Sequence, residues 1–312
     1  MKRILFGLLL VFSGILGVPL FPQSRGRTVI SSGRVNTLGK FSFQYGILEA
    51  SIKVPKTADG LHPVLWLLGS DYSEGSRPGG GEITILEMGH QRGIEDGAQD
   101  RFFSAAARWG AMEEDGSYPN YTVYKTNLYG LQHGDFHLFT LVWDEHRIRI
   151  YLDRDRLPVS SSEERTLPGA FPPEGSPKIP PDMKPYFEMA ITPELRRYFC
   201  KPFFIGINLA AGGGVTNILT IDGVSALNRG NSNQASLYID YIRVYDGAGT
   251  LVFGDEFNLP RIDAQKWNIE ENNGAEENQG LQRYRRRNVQ IDKERISGKS
   301  CLVISARKET AN

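Results

Sequence analysis

Apolar and polar residues alternate over short runs along most of this chain, the period of half-buried strands rather than of helices. Lys40-Phe-Ser-Phe-Gln-Tyr-Gly46 and Ile47-Leu-Glu-Ala-Ser-Ile-Lys-Val54 read as successive strands, the second stopped by Pro55. Leu61 to Leu68 is a denser apolar run that fits a strand buried on both faces. A glycine-rich loop, 69–81, then leads into Glu82-Ile-Thr-Ile-Leu-Glu-Met88. Arg101-Phe-Phe-Ser-Ala-Ala-Ala-Arg-Trp-Gly110 is a further strand, although its alanines alone suit a helix as well. Phe136–Trp143 and Arg147–Asp153 form a hairpin about Asp144-Glu-His146. Strands resume at Phe203–Leu209 and Leu237–Tyr245. No helical period is visible before residue 150, and the one helix expected is Thr192–Tyr198, with a capping threonine and Pro193 at its first position. So many short strands at close spacing predict an all-β fold, a sandwich or a barrel.

Between Arg154 and Pro185 the pattern lapses. Seven prolines from Pro158 to Pro181, mixed with serine and charge, mark a surface insertion without a core of its own. At the N-terminus Met1-Lys2-Arg3 precedes an apolar run from Ile4 to Leu20, which predicts a signal peptide over residues 1–23, or a membrane anchor if it stays uncleaved. The expected location is secreted or cell envelope, with membrane contact only through an uncleaved segment. The chain has 312 residues, 36 basic and 36 acidic, so no charge excess argues for nucleic acid as partner. The basic cluster Arg283, Arg285, Arg286 and Arg287 reads as a solvated strand edge. Its two cysteines, Cys200 and Cys301, suit either one disulfide or two buried thiols.

The chemistry lies in the glutamate strand. Strict alternation puts Glu82 and Thr84 on one face and Ile83 and Ile85 in the core, which leaves Glu87 with the wrong parity. One extra residue at Ile85-Leu86, a β-bulge, restores Glu87 to the face of Glu82. Paired carboxylates on one face suit glycoside hydrolysis, in which one attacks the anomeric carbon and the other protonates the leaving oxygen. Along the strand their backbones are still roughly 13 Å apart, so curvature and two long side chains must close the gap. Two solvated glutamates on a half-exposed strand are the plain alternative.

In sequence order, the motifs Gly33-Arg-Val-Asn-Thr37, Tyr45-Gly46 with Glu49 and Lys53, Pro63-Val-Leu-Trp-Leu-Leu-Gly69, Gly79–Gly89, Trp109-Gly110, Asp135-Phe-His137, Asn208–Gly213 and Asp240–Tyr245 resemble glycoside hydrolase family 16, the laminarinase and β-glucanase group. The family ends at the segment matching Asp240–Tyr245, yet this chain continues with Phe253-Gly-Asp-Glu-Phe-Asn258, Trp267-Asn268, Asn288-Val289 and Leu302–Arg307, which resemble the family's beginning. The order implied is that of one circularly permuted domain over residues 24–312, in which 24–249 match the family's middle and end and 250–312 its beginning. A segment exchanged between neighbouring molecules is the alternative.

The resemblance implies a two-sheet antiparallel jelly-roll sandwich of the concanavalin A type, with a concave substrate cleft. It implies an exported retaining endo-glycosidase for a β-linked polysaccharide, a β-1,3- or mixed-linkage glucan first, and a monomer. Glu82 would be nucleophile and Glu87 acid/base. Trp66, Trp109, Arg108, Asn208 and Asn278 are its substrate-facing candidates, although tryptophans more often serve a core. The chemistry requires no cofactor. A structural calcium is what the family often carries, with Asp240 and Glu256 as the matching ligands, and two hydrated surface acids account for that pair equally well. Three positions depart from the family: Thr84 stands for an aspartate, Arg108 for a histidine and Gly280 for a glutamate. These changes favour a second class of function, a non-catalytic carbohydrate-binding protein built on the hydrolase fold.

Overall fold

A computed structural model of the chain describes residues 27–310 apart from 58, 73–78, 115–116, 133, 155–178, 180–182, 229–232, 273–278 and 295. The signal-like segment and most of the proline-rich insertion lie outside the described residues. Among the described residues no helix is long and apolar enough to cross a membrane.

The fold is all-β, a sandwich of two mostly antiparallel sheets. In the larger sheet the strands run in the spatial order Phe187–Ala190, Arg147–Leu152, His137–Trp143, Gly46–Lys53, Gln234–Tyr245, Ser300–Thr310, Thr28–Ser32 and Gln282–Tyr284, with Leu251–Asp255 and Val289–Lys293 pairing beside this path. The last pair, Thr28–Ser32 with Gln282–Tyr284, is parallel. The smaller sheet runs Asn268–Ile269, Arg34–Asn36, Phe203–Ala211, Leu61–Gly69, Glu82–Met88, Phe102–Arg108 and Asn120–Thr126. Leu48, Ala50, Phe139, Leu141, Ile239 and Ile304 from the first meet Leu65, Leu67, Ile83, Phe103, Ile205 and Ile207 from the second in one apolar core. Burial of this core supplies the main drive to fold.

Chain order and spatial order diverge at the end of the sequence. A tight turn joins Gln234–Tyr245 to Leu251–Asp255: Asp246 N–H donates to Thr250 O at 2.9 Å and Gly249 N–H to Asp246 O at 2.9 Å. The final strand then inserts between Gln234–Tyr245 and Thr28–Ser32, pairing Thr310 with Thr28. First and last described strands are therefore sheet neighbours.

Some local expectations change. Lys40–Gly46 is not a strand: Phe43 alone bridges to Phe203, and Tyr45 and Gly46 take positive φ, of 65° and 118°. A Cβ on Gly46 would sit 2.1 Å from Tyr245 O, so close approach of the neighbouring strand demands glycine. The helix expected at Thr192 begins only at Arg196 and ends at Phe199, after a turn in which Thr192 O accepts from Leu195 and Arg196 N–H. A helix the periodicity misses, Gln91–Glu95, follows the glutamate strand, with His90 capping it by accepting from Arg92 N–H. At five residues it is too short to register a 3.6-residue period. Cys200 and Cys301 are free, the second fully buried, so the two-thiol reading holds. Burial pushes the Cys301 thiol up to about 12.

The bulge is present. Register breaks between Thr84 and Glu87 against Phe102–Arg108, and between Leu65 and Trp66 against Leu61–Gly69, where Leu65 faces Leu86 and Trp66 faces Thr84. Ile85 and Leu86 both point into the core, with Ile83 and Met88. A bulge leaves backbone groups without ladder partners. Here the buried Tyr186 hydroxyl donates to Ile85 O across the sandwich, and its ring packs edge-on to Phe103 at 4.9 Å. Replacing Tyr186 with phenylalanine keeps the ring and strands that carbonyl. Chemical denaturation should show a loss of about 1–3 kcal/mol for Tyr186→Phe, and an unchanged midpoint would show that the hydroxyl does not hold the bulge.

Candidate active site

Across the smaller sheet, one face meets the core and the other turns away from it. Register assigns the outward face: Leu68 is opposite Glu82, Trp66 opposite Thr84, Val64 opposite Glu87; on the other side Arg108 is opposite Glu82, Ala106 opposite Thr84 and Ser104 opposite Glu87. Cross-strand neighbours on one face lie within reach of each other's side chains. Glu82, Thr84, Glu87 and Arg108, four of the residues the sequence singles out, are thus gathered on one patch.

Arg108 is its electrostatic centre. Nη1 donates to Glu82 Oε1 at 2.8 Å and to Thr84 Oγ1 at 2.8 Å, and Nη2 donates to Glu87 Oε2 at 3.5 Å. Thr84 Oγ1, accepting from Arg108, in turn donates to Glu82 Oε1 at 3.0 Å. The hydroxyl therefore relays the cation's polarity to Glu82 where the family would place a carboxylate. Both glutamates are nearly buried, at 8% and 7% exposure, so their charges need this pairing.

Glu87 has two further partners. Ser104 Oγ donates to its Oε2 at 3.0 Å, and His62 Nε2 lies 3.0 Å from its Oε1. Burial alone would raise its pKa, but the Arg108 charge, with His62 and Ser104, holds the carboxyl well below its ordinary 4.5. The reciprocal field raises the Arg108 pKa above its ordinary value. Arg108 thus stands as a cation between the two glutamates.

His62 and Ser104 escape sequence reasoning because His62 sits in an apolar run and Ser104 among small residues. The signal was the parity of His62 with Val64 and Trp66, which places it diagonal to Glu87 once the bulged register is drawn. Tyr124, opposite Ser104 and 44% exposed, is a third addition; its ring stacks on Phe102 at 5.8 Å and meets His90 edge-on at 4.9 Å.

Trp66 does not present an open face. Trp66 is 3% exposed, with its indole N–H donating to Asn208 Oδ1 at 2.8 Å and its ring edge-on to Phe204; a Cβ on Gly206 would lie 2.2 Å from the indole. Asn208 is thus seen fixing Trp66. Trp109 packs against the inter-sheet core and edge-on to Phe199 at 6.0 Å. Asn278 lies outside the described residues. Gly280 is described, and a Cβ there would lie 2.7 Å from the Gln282 amide nitrogen, so a glutamate would have to displace that side chain. The calcium candidates do not converge: Asp240 pairs with Lys299, while Glu256 takes the Arg243 fork at 2.7 and 2.9 Å. Among the described residues no group of three or more histidine, cysteine, aspartate or glutamate side chains is arranged to hold a metal. Each acid is neutralised by its own cation, so a calcium ion does not fit this pair.

Comparison with known proteins agrees with this geometry. A glucan endo-1,3-β-glucosidase A1 of Niallia circulans is 28% identical over 226 residues, 72% of this chain and 28% of that protein. A β-1,3-glucan-binding protein of Penaeus monodon is 31% identical over 127 residues, 40% of this chain and 33% of its own. The chain therefore spans about a third or less of those two relatives. Among solved structures, a family 16 protein from a Bacteroides ovatus mixed-linkage glucan locus, in complex with a G4G4G3G product, superposes with a TM-score of 0.53 at 27% identity, covering 69% of this chain and 79% of that one. The family model described as glycosyl hydrolases family 16 matches residues 24–179, half of the chain. With that match, the sandwich and the bulged glutamate strand, this chain belongs to glycosyl hydrolase family 16.

Proposed function

We propose that the chain is an exported endo-hydrolase of β-1,3- or mixed-linkage glucan that retains anomeric configuration. The observation that carries this reading is the bulge that turns Glu82 and Glu87 to one face, where one guanidinium reaches both. Glu82, ionised beside Arg108 and Thr84, attacks the anomeric carbon as the glycosidic C–O bond breaks. Glu87 gives its proton to the departing oxygen, then takes one from the water that releases the sugar from Glu82. The first step needs Glu87 protonated, which Arg108 opposes, so glycosylation is slow and speeds up as pH falls.

That opposition also supports a second reading, a β-glucan-binding protein that has kept the patch and lost turnover. The relative of Penaeus monodon, itself a β-1,3-glucan-binding protein, lends it weight. Reducing-end release from laminarin and a mixed-linkage glucan separates the two. The hydrolase reading expects release by the wild type that falls at least about 1000-fold in Glu82→Gln and in Glu87→Gln. Oligosaccharide binding by calorimetry with no release over long incubation would establish the binding protein instead.

We also infer that the chain is a circularly permuted monomer. Supporting this, the turn at Asp246–Thr250 ties the C-terminal segment to its own sheet, and Thr310 lies across from Thr28. An exchanged segment would have to open that turn. A variant with a short linker from Thr310 to Thr28 and new ends at Gly247–Ala248 should fold to a monomer with a similar melting temperature. Light scattering that finds a wild-type dimer, dissociating only on unfolding, would favour exchange.

Arg108 sets a pH signature on stability. Because Glu87 ionises more readily folded than unfolded, its contribution is complete above about pH 4.5 and is lost as pH falls through the lower folded value. Arg108→Gln should cost about 2–4 kcal/mol at pH 7, less than for a fully buried pair because the guanidinium is part-exposed. The gap to the wild type should narrow towards pH 2 in denaturation curves. A gap independent of pH would show that Arg108 acts through packing alone.

A further inference from the structure

Glu87 is gripped unequally on its two oxygens. Oε2 faces Ser104 Oγ and Arg108 Nη2, donors that stabilise the carboxylate and surrender no proton near neutral pH. Oε1 faces His62 Nε2 at 3.0 Å, and an imidazole nitrogen, unlike a guanidinium, can both give and take a proton. His62 is 5% exposed, and sits on the Leu61–Gly69 strand, opposite Ala210 on its far side. The charged groups facing this pair are Arg108 from the Phe102–Arg108 strand and Glu82 from the glutamate strand itself. His90, in the turn beyond, also feels both members of the pair together with Arg92 and Glu95, and burial lowers its pKa below the ordinary value. From the Phe203–Ala211 strand only neutral residues stand opposite this part of Leu61–Gly69, Asn208 facing Val64 and Ala210 facing His62.

Resting on the hydrolase reading, we propose that the catalytic proton is held by His62 and Glu87 as a pair, with His62 storing it on Nε2 and returning it through Glu87. In the loaded state the pair is an imidazolium and a carboxylate, neutral in sum beside Arg108. As the glycosidic bond breaks and Glu82 bonds to the anomeric carbon, the proton passes from Nε2 to the Glu87 carboxyl and on to the departing oxygen. Imidazole and carboxylate are left, both without that proton. When water attacks the glycosyl ester of Glu82, one water proton goes to Glu87 and recharges the pair, the oxygen–carbon bond to Glu82 breaks, and Glu82 is again a carboxylate. Protons balance over the cycle: one leaves on the sugar hydroxyl and one arrives from water. The imidazole thus stands as a proton source on the oxygen of Glu87 that Arg108 does not reach.

The test uses two substrates that differ in their need for an acid. Laminarin leaves as a sugar alkoxide and needs protonation; a 2,4-dinitrophenyl β-laminaribioside leaves as a stable phenolate and does not. His62→Asn should lower kcat/KM on laminarin about 100-fold and move its pH optimum to more acidic values, while changing the dinitrophenyl substrate by no more than about threefold. Activity on the second substrate also reports that the variant is folded. Equal losses on both substrates, or none on either, would overturn the shared proton. Wild-type protein inactive on both would instead remove the hydrolase reading, and this inference with it.

Discussion

One surplus residue in the glutamate strand governs the site. Without the bulge, Glu87 would join Ile83 and Ile85 on the side of the inter-sheet core, where an ionised carboxylate has no compensation. With it, two successive apolar residues, Ile85 and Leu86, share the core side and both carboxylates emerge on the other. The arrangement costs ladder hydrogen bonds, and the sandwich offsets part of that cost through Tyr186, whose hydroxyl crosses the core to Ile85 O. The opposite sheet thus reaches through to the backbone that aims the two glutamates.

Bringing two acids together creates the next constraint. Carboxylates this buried repel unless one is protonated or a cation intervenes. By resemblance the family places an aspartate where Thr84 stands and a histidine where Arg108 stands. This chain substitutes a hydroxyl at Thr84 and a fixed cation at Arg108, so the same backbone now favours two carboxylates. On the side of Glu87 that Arg108 does not occupy stands His62.

The fold class and the bulge were legible because both rest on local parity: alternation names strands, and two glutamates five residues apart cannot share a face without an extra residue. Arg108 was legible as a charge near the pair. His62 and Ser104 were not, because a contact across strands depends on register, which no single strand encodes. Trp66 looked like a platform, yet whether an aromatic face is open depends on what lies over it, here Asn208 and Phe204. The partners of Asp240 and Glu256 were hidden for the same reason: Lys299, 59 residues from Asp240, and Arg243, 13 from Glu256, pair with them from positions that spacing does not mark.

The route of the chain can be rearranged at little cost to the site. The turn at Asp246–Thr250 and the facing ends Thr28 and Thr310 all belong to the larger sheet, whereas the four strands bearing Asn208, His62, Glu82, Glu87 and Arg108 lie in the smaller one. From residues beyond 250 the smaller sheet takes only the two-residue edge strand Asn268–Ile269, which pairs with Arg34–Asn36. Leu61–Gly69, Glu82–Met88 and Phe102–Arg108 follow one another in sequence as they do in space, and Phe203–Ala211 returns to pair with Leu61–Gly69 after His137–Trp143, Arg147–Leu152 and Phe187–Ala190 of the larger sheet. Joining and cutting in the larger sheet changes loop closure there and leaves the register of the glutamate strand to its own bulge and to Tyr186. Chemistry and connectivity are thus carried by different sheets, and only the core between them couples the two.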